Sequence, residues 1–287
     1  MPPPAPSATA RSAPAPSINP LETLFRLSSA LVDLIARFGQ FSVFSAQSIA
    51  AVFTAVPTWS RWSRFGQQLF TIGSRSAPVL GLTGAFTGAI LALEGYHGFA
   101  AFGQEHRLGG VVNISIVKQI GPVLAAVMLA GRVGCSLTAE LGSMRVTDQL
   151  DAMRAMAADP IKVLVAPRLV ACVLMIPILT VVSNLCGVWG AWLVTVKFYG
   201  VSGIRYWDFS ASFIDWFDVT NGLVKSLFFG AAIALIACYK GFSCRPGAQG
   251  VGRATTEAFV ASFVAIVMTN LVLAKLLNDI ARIIRTD

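Results

Sequence analysis

Charge is scarce in this 287-residue sequence: Asp, Glu, Lys and Arg make up only 13% of it. A soluble domain carries about 25%. The shortfall excludes a disordered chain, an ordinary cytosolic enzyme and a basic nucleic-acid-binding protein, so no nucleic-acid partner is expected. Histidine is nearly missing (His97 and His106), and no CxxC pair occurs among the five cysteines. Cys135, Cys172, Cys186 and Cys238 lie in apolar runs and Cys244 follows one, where thiols behave as small hydrophobes. Neither a disulfide nor a metal site is expected. No Ser/His/Asp or Cys/His arrangement shares a helical face, so nothing supports an intramembrane hydrolase. A nucleotide-binding loop is also lacking. Gly247-Ala-Gln-Gly-Val-Gly252-Arg253-Ala254-Thr255 spaces its glycines like a phosphate loop, but it puts Arg and Ala where that loop needs Lys and a hydroxyl residue. Any energy source must lie outside the chain.

Apolar length is what the chain has: 55% hydrophobic residues and a mean hydropathy of +0.69. It reads as an all-α polytopic membrane protein. Residues 1–20 hold half of the 14 prolines, the composition of a disordered tail. Leu24, Leu27, Leu31, Leu34 and Ile35 then share one helical face, with Arg26, Asp33 and Arg37 off it, as in an interfacial amphipathic helix. Whether 38–56 cross the bilayer or lie in it stays open. A basic, Trp-rich connector (57–75, with Trp59, Arg61, Trp62 and Arg64) suits a headgroup zone. A transmembrane domain follows over 76–287. Its five spans are expected near 76–99, 111–139, 169–196, 220–241 and 257–278, each at least the roughly 20 residues needed to cross.

Lys and Arg concentrate in the connector and in loops 140–168 and 240–253. The positive-inside rule therefore places these, and the N-terminus, in the cytoplasm. Lys275, Arg282 and Arg285 then fall outside, against the rule. Gly81, Gly84 and Gly88, like Ala130 and Gly134, suit close helix approach, either within one subunit or at a dimer face.

Four features carry candidate chemistry. Arg132, a charge within the second span, must snorkel, satisfy helix-end carbonyls or pair with the cytoplasmic loop. Lys118 and Gln119, with Pro122 loosening the helix one turn on, either hold a phosphate or carboxylate headgroup or snorkel outward. Glu94 approaches the same side from the preceding helix, and a contact with Lys118 would neutralise both. Finally, Thr147 can N-cap a short amphipathic helix that Asp148 and Asp151 favour and Pro160 stops. Its stripe of Val146, Leu150, Met153 and Ala157 packs on the membrane or docks into a partner's groove.

Several ordered motifs support a resemblance. Ile120-Gly-Pro-Val-Leu, Leu129-Ala-Gly-Arg-Val-Gly134, the run from Thr138 to Leu150, Asp159-Pro160, Ala166-Pro-Arg168, Met175-Ile-Pro-Ile-Leu-Thr180, Lys240-Gly-Phe and Gly250-Val-Gly-Arg-Ala-Thr-Thr256 together resemble the MlaE/YrbE permease family over about residues 60–278. The resemblance implies a homodimeric ABC-transporter permease of a bacterial inner membrane, served by cytoplasmic ATPase subunits. ATP and Mg are then used by that partner, and this chain binds no cofactor of its own. It also implies phospholipid or related lipid as cargo, exchanged with an extracytoplasmic MCE-domain lipid-binding protein. Residues 141–158 become a coupling helix, with Glu140, Met144, Arg145, Asp148, Gln149 and Met153 at or beside the ATPase contact. Lys118 and Gln119 fall on a family position that often reads basic–Glu at the lipid cavity. The basic residue is kept in kind and the carboxylate is lost. Glu94 replaces the family's Gln before Gly-Tyr, and Phe99, Phe102 and Ile120 match positions near the cavity wall. The rival reading is a non-transporting membrane scaffold. A secondary transporter or channel would show clearer polar pathways or inverted repeats.

Overall fold

A computed structural model describes residues 20–54 and 62–286. The Pro-rich tail to residue 19 and the Trp59–Arg61 part of the connector lie outside the described residues. By contacts the chain divides into a unit ending at Phe44 and a unit beginning at Ser45. The first unit holds most of one helix, α1 (Pro20–Thr54), on which Ile35, Phe38 and Val43 are exposed. The undecided stretch 38–56 is helical to Thr54.

The second unit is a helical bundle. Among the described residues, five helical rods are long and apolar enough to cross a membrane, as expected. Their ends differ from the expected ones because each helix continues past its apolar run into polar sequence. Thus α2 (Trp62–Ala100) absorbs much of the basic connector. The next rod, α3, joins Leu108–Ser115, a π-helical Ile116–Ile120, Gly121–Leu129, a second π-helical turn Ala130–Gly134, and Cys135–Val146. The short α4 (Gln149–Ala155) follows, and α5 runs as Ile161–Val165, Ala166–Trp192 and Leu193–Phe198, its outer segments π-helical. The stretch 197–219, between the third and fourth expected spans, contains α6 (Gly203–Phe213). The last two rods are α7 (Trp216–Phe242) and α8 (Ala248–Thr286).

One core cluster, including Leu80, Leu129, Ile176, Phe229, Ile233 and Ile266, gathers α2, α3, α5, α7 and α8. A smaller one (Ala92, Leu108, Val112, Ile116, Ala191, Val194) closes the other end beneath Tyr96, Phe99 and Tyr199. There the Tyr96 and Tyr199 rings stack at 3.6 Å between centroids. Half of α7 is buried and it is the central helix; α8 buries little and exposes Val260, Phe263, Val267, Met268 and Leu271.

The glycine positions pack inside the subunit. A Cβ on Gly84 would strike the Ser183 carbonyl, one on Gly88 the Gly187 carbonyl, and one on Gly190 the Ala85 carbonyl. Gly81 faces Cys186 and Gly134 faces Ile233. With no hydrophobic drive between helices in lipid, such backbone proximity supplies the dispersion contacts that hold α2 to α5.

The expected single helix over 141–158 breaks in two. Thr147 ends α3 as its C-cap and Asp148 takes a left-handed φ of 55° before α4 begins. Asp148 makes no side-chain cap hydrogen bond. Thr147 is therefore no N-cap; its hydroxyl instead donates back to the Ser143 carbonyl at 2.9 Å. Nor does Pro160 stop this helix. α4 ends at Ala155, and Pro160 leads into α5, where its missing N–H is no loss. Of the apolar stripe, Leu150 is buried, while Ala157 is exposed in a left-handed turn.

Candidate functional site

The π-helical turn Ile116–Ile120 widens α3 immediately before Gly121-Pro122. In a regular helix the Lys118 carbonyl would accept from the N–H of residue 122. Proline has none. The Lys225 ammonium of α7 donates to that carbonyl at 3.3 Å and to Gln119 Oε1 at 2.5 Å. Lys225 is 1% exposed. A buried ammonium is tolerated only where hydrogen-bond acceptors replace water, and the proline-freed carbonyl is one of them. The close approach of the helices here depends on Gly222, where a Cβ would meet the Val117 carbonyl.

Lys118 itself does not pair with Glu94. Its Nζ lies 3.0 Å from Oδ1 of Asp218, whose side chain is almost wholly buried, and Glu94 is exposed on α2. Asp218 also accepts from the Asp215 backbone N–H at 3.3 Å, completing a capping box at the start of α7. Between Asp218 and Lys225 on the same α7 face sits Asn221, 2% exposed, with neither amide atom hydrogen-bonded. The cluster thus holds two ammonium groups, one carboxylate and an unsatisfied amide inside an apolar bundle.

Sequence reasoning missed Asp218, Asn221 and Lys225. Asp218 reads as a loop charge and Lys225 as a span-start charge. Their i, i+3, i+7 spacing, which aligns them on one helix face, was the available signal.

Other candidates are dispersed. Ile120 lines a small crevice with Ile116, Gly121, Leu124, Gly84 and Ser183. Phe99 packs on the smaller core, and Phe102 stands 82% exposed in the turn after α2. Arg132 is exposed beside α2, and of its three alternatives the pairing with the loop is not formed among the described residues: Glu140, eight residues on, pairs with Arg168 at 2.9 Å. Arg145 and Arg154 both grip Asp151, at 2.7 and 3.0 Å, bracing α4 against the end of α3. Asp148 and Gln149 are exposed at that corner, and Met144 and Met153 are half-buried.

The opposite end is fixed by α6. Asn113 of α3, fully buried, donates to Ser210 Oγ at 2.9 Å and accepts from the Tyr206 hydroxyl at 3.1 Å. Gly109 leaves room for the Tyr206 ring, whose Cδ2 a Cβ there would meet at 2.6 Å. Burial pushes the Tyr206 phenol from 10.0 up to about 12. Because the folded value is the higher one, neutral Tyr206 contributes stability that is complete below pH 10.0 and lost as pH rises through about 12. Phenolate absorbance is expected to show one late-titrating tyrosine that Tyr206→Phe abolishes. A variant that keeps the late step would refute the assignment.

Comparison with known proteins fits this architecture. Residues 65–276 match the family model described as Permease MlaE. The chain is 39% identical over 254 residues to a probable ABC transporter permease protein of Rickettsia conorii, covering 88% of this chain and 98% of that one. It is 37% identical over 195 residues to the intermembrane phospholipid transport system permease protein MlaE of Haemophilus influenzae, covering 68% of this chain and 75% of the relative. It is also 34% identical over 213 residues to the chloroplastic protein TRIGALACTOSYLDIACYLGLYCEROL 1 of Arabidopsis thaliana, covering 74% and 61% of the two chains. A matched segment of that extent, on a bundle of five apolar rods, makes this chain a member of the MlaE permease family.

Proposed function

We propose that this chain is the membrane-spanning subunit of an ATP-driven lipid transporter, acting as a pair of copies with cytoplasmic ABC ATPases. Its cargo is phospholipid or a related lipid, passed to or from an MCE-type lipid-binding protein on the far side of a bacterial inner membrane. The observation that carries this reading is the polar cluster of Lys118, Gln119, Asp218, Asn221 and Lys225 inside an apolar bundle. Charges at such depth cost several kcal/mol and mark substrate pathways. A non-transporting scaffold has no use for them.

The chemistry follows from the groups present. Lys118 keeps 29% of its side chain accessible while its ammonium is held by Asp218. A lipid phosphate approaching that ammonium gains charge-assisted hydrogen bonds. Lys225, whose acceptors are a neutral amide and a carbonyl, leaves the cluster with excess positive charge that draws the anion further. Acyl chains stay against apolar wall such as Ile120. Glu94, Phe99 and Phe102 belong to the rim of the path rather than to this cluster.

At the basic end, the α3–α4 corner is a stiff, salt-bridged knob that an ATPase groove can push. Glu140, Met144, Arg145, Asp148, Gln149 and Met153 form or brace it, and the N-terminus lies on this same cytoplasmic side. Nucleotide closure would drive the corner toward α5 through the Glu140–Arg168 pair and so squeeze the lipid path.

The test is co-purification with an ATPase whose hydrolysis rises when phospholipid is added. Arg145→Asp should break both the Asp151 contact and the corner, reducing that stimulation about tenfold while the helical fold survives, since exposed pairs contribute at most about 1 kcal/mol to stability. Full stimulation in a folded Arg145→Asp complex would overturn the coupling role.

A further inference from the structure

A second basic site lies away from the Lys118 cluster. Between α2 and α3 a groove of about 130 Å³ is lined by Gln68, Thr71, Arg75, Ser76, Arg132 and Ser136, with Glu140 at one edge. Arg75 and Arg132 are both exposed, and neither has an ion-pair or hydrogen-bond partner among the described residues. Glu140 is engaged by Arg168, so it does not neutralise them. Ser76 is 1% exposed and its hydroxyl has no hydrogen-bond partner. Helical serines elsewhere in the chain, such as Ser74 and Ser115, donate back to the carbonyl four residues earlier; Ser76 does not.

Depth identifies the ligand. At 1.5 Å per residue Arg75 lies about 38 Å along α2 from its end at Ala100, and Arg132 at most about 36 Å along α3 from its start at Leu108, since the π-helical turns between rise less. The helices meet at that end through a short turn. The hydrocarbon layer is about 30 Å thick. Two rods that leave the membrane together near Ala100 and Leu108 therefore carry both arginines to the headgroup layer of the opposite leaflet, on the side of Arg145, Arg154 and Lys162.

We propose that this groove binds the phosphate group of an anionic phospholipid in that leaflet, both guanidinium groups gripping phosphate oxygens and Ser76 donating from the floor. Guanidinium forks match phosphate geometry, and the volume admits the phosphate while the acyl chains remain in the bilayer. The site is independent of the lipid path proposed above and does not require that reading.

The full-length permease, purified in detergent from membranes containing phosphatidylglycerol and phosphatidylethanolamine, is examined by native mass spectrometry. Retention of phosphatidylglycerol is expected to fall about tenfold in R75A/R132A, which removes both guanidinium contacts. R75K/R132K keeps charge without the fork and should retain an intermediate amount; it serves as the measurement if the alanine variant fails to fold. Displacement of bound lipid by millimolar inorganic phosphate would assign the groove to soluble phosphate as well, supporting a phosphate site. Equal retention by wild type and R75A/R132A would overturn the proposal. So would unchanged lipid with a loss of self-association, which would make the groove a contact between copies.

Discussion

Replacing Asp218 by asparagine is expected to abolish most lipid transfer and to destabilise the permease by about 2–3 kcal/mol. Removing one member of a buried pair strands the other, at about 3–5 kcal/mol when both are fully buried. The expected figure is lower because Lys118 retains 29% side-chain exposure and can turn toward water. The same change weakens the capping box at the start of α7. Stability and transport separate in the double variant Lys118→Met/Asp218→Leu. With no stranded charge its thermal unfolding should return close to that of the parent, while transfer of phospholipid between donor and acceptor vesicles stays low. Lys118→Ala alone should likewise lower transfer more than assembly with the ATPase. Recovery of transport along with stability in the double variant would reduce the pair to a structural contact and remove the headgroup role from Lys118.

The rods were legible because lipid-spanning helices must be apolar almost throughout, a requirement that leaves long charge-free runs in the sequence. Their ends were not. Helix propensity and tertiary packing carry α2 back to Trp62 and α3 on to Val146 through residues that hydropathy assigns to connectors. The corner at Thr147–Asp148 was hidden for a related reason: a Thr followed by acidic residues looks like a helix start, and only the left-handed φ at Asp148 shows that a helix has just ended. The α6 helix was obscured because Ile204, Trp207 and Phe213 alternate with Arg205 and Asp208 in a stretch too polar to be a span. At the site, Lys118 and Gln119 could be singled out as charge and amide within an apolar run. Their partners could not, because Asp218 and Lys225 lie 100 and 107 residues further on and their pairing depends on how α7 crosses the π-helical turn of α3. Glu94 was the nearer acidic residue in sequence, and packing turned it outward.

The α2–α5 seam should tolerate added side-chain bulk poorly. Gly88→Ala adds one methyl group where the Gly187 carbonyl already occupies the space, and Gly84→Ala does the same against the backbone of Ser183. Neither obstacle is a flexible side chain, so relief requires the two helices to separate along their length. Overpacking of a tight interior costs about 1–3 kcal/mol, sometimes more. Separation here also forfeits the dispersion contacts of Gly81 with Cys186 and of Gly190 with Ala85. Gly88→Val should therefore give little folded permease, and Gly88→Ala a thermal midpoint well below the parent. Gly98, near the end of the same helix, has no atom within 4 Å of where its Cβ would stand. Gly98→Ala is expected to be neutral or to stabilise by up to about 1 kcal/mol, the ordinary helix preference for alanine over glycine. The contrast separates steric approach from backbone propensity, since both substitutions improve propensity equally. If Gly88→Ala melted like Gly98→Ala, the two helices would not be held at backbone contact, and α2 would be free to move against α5 in the transport cycle.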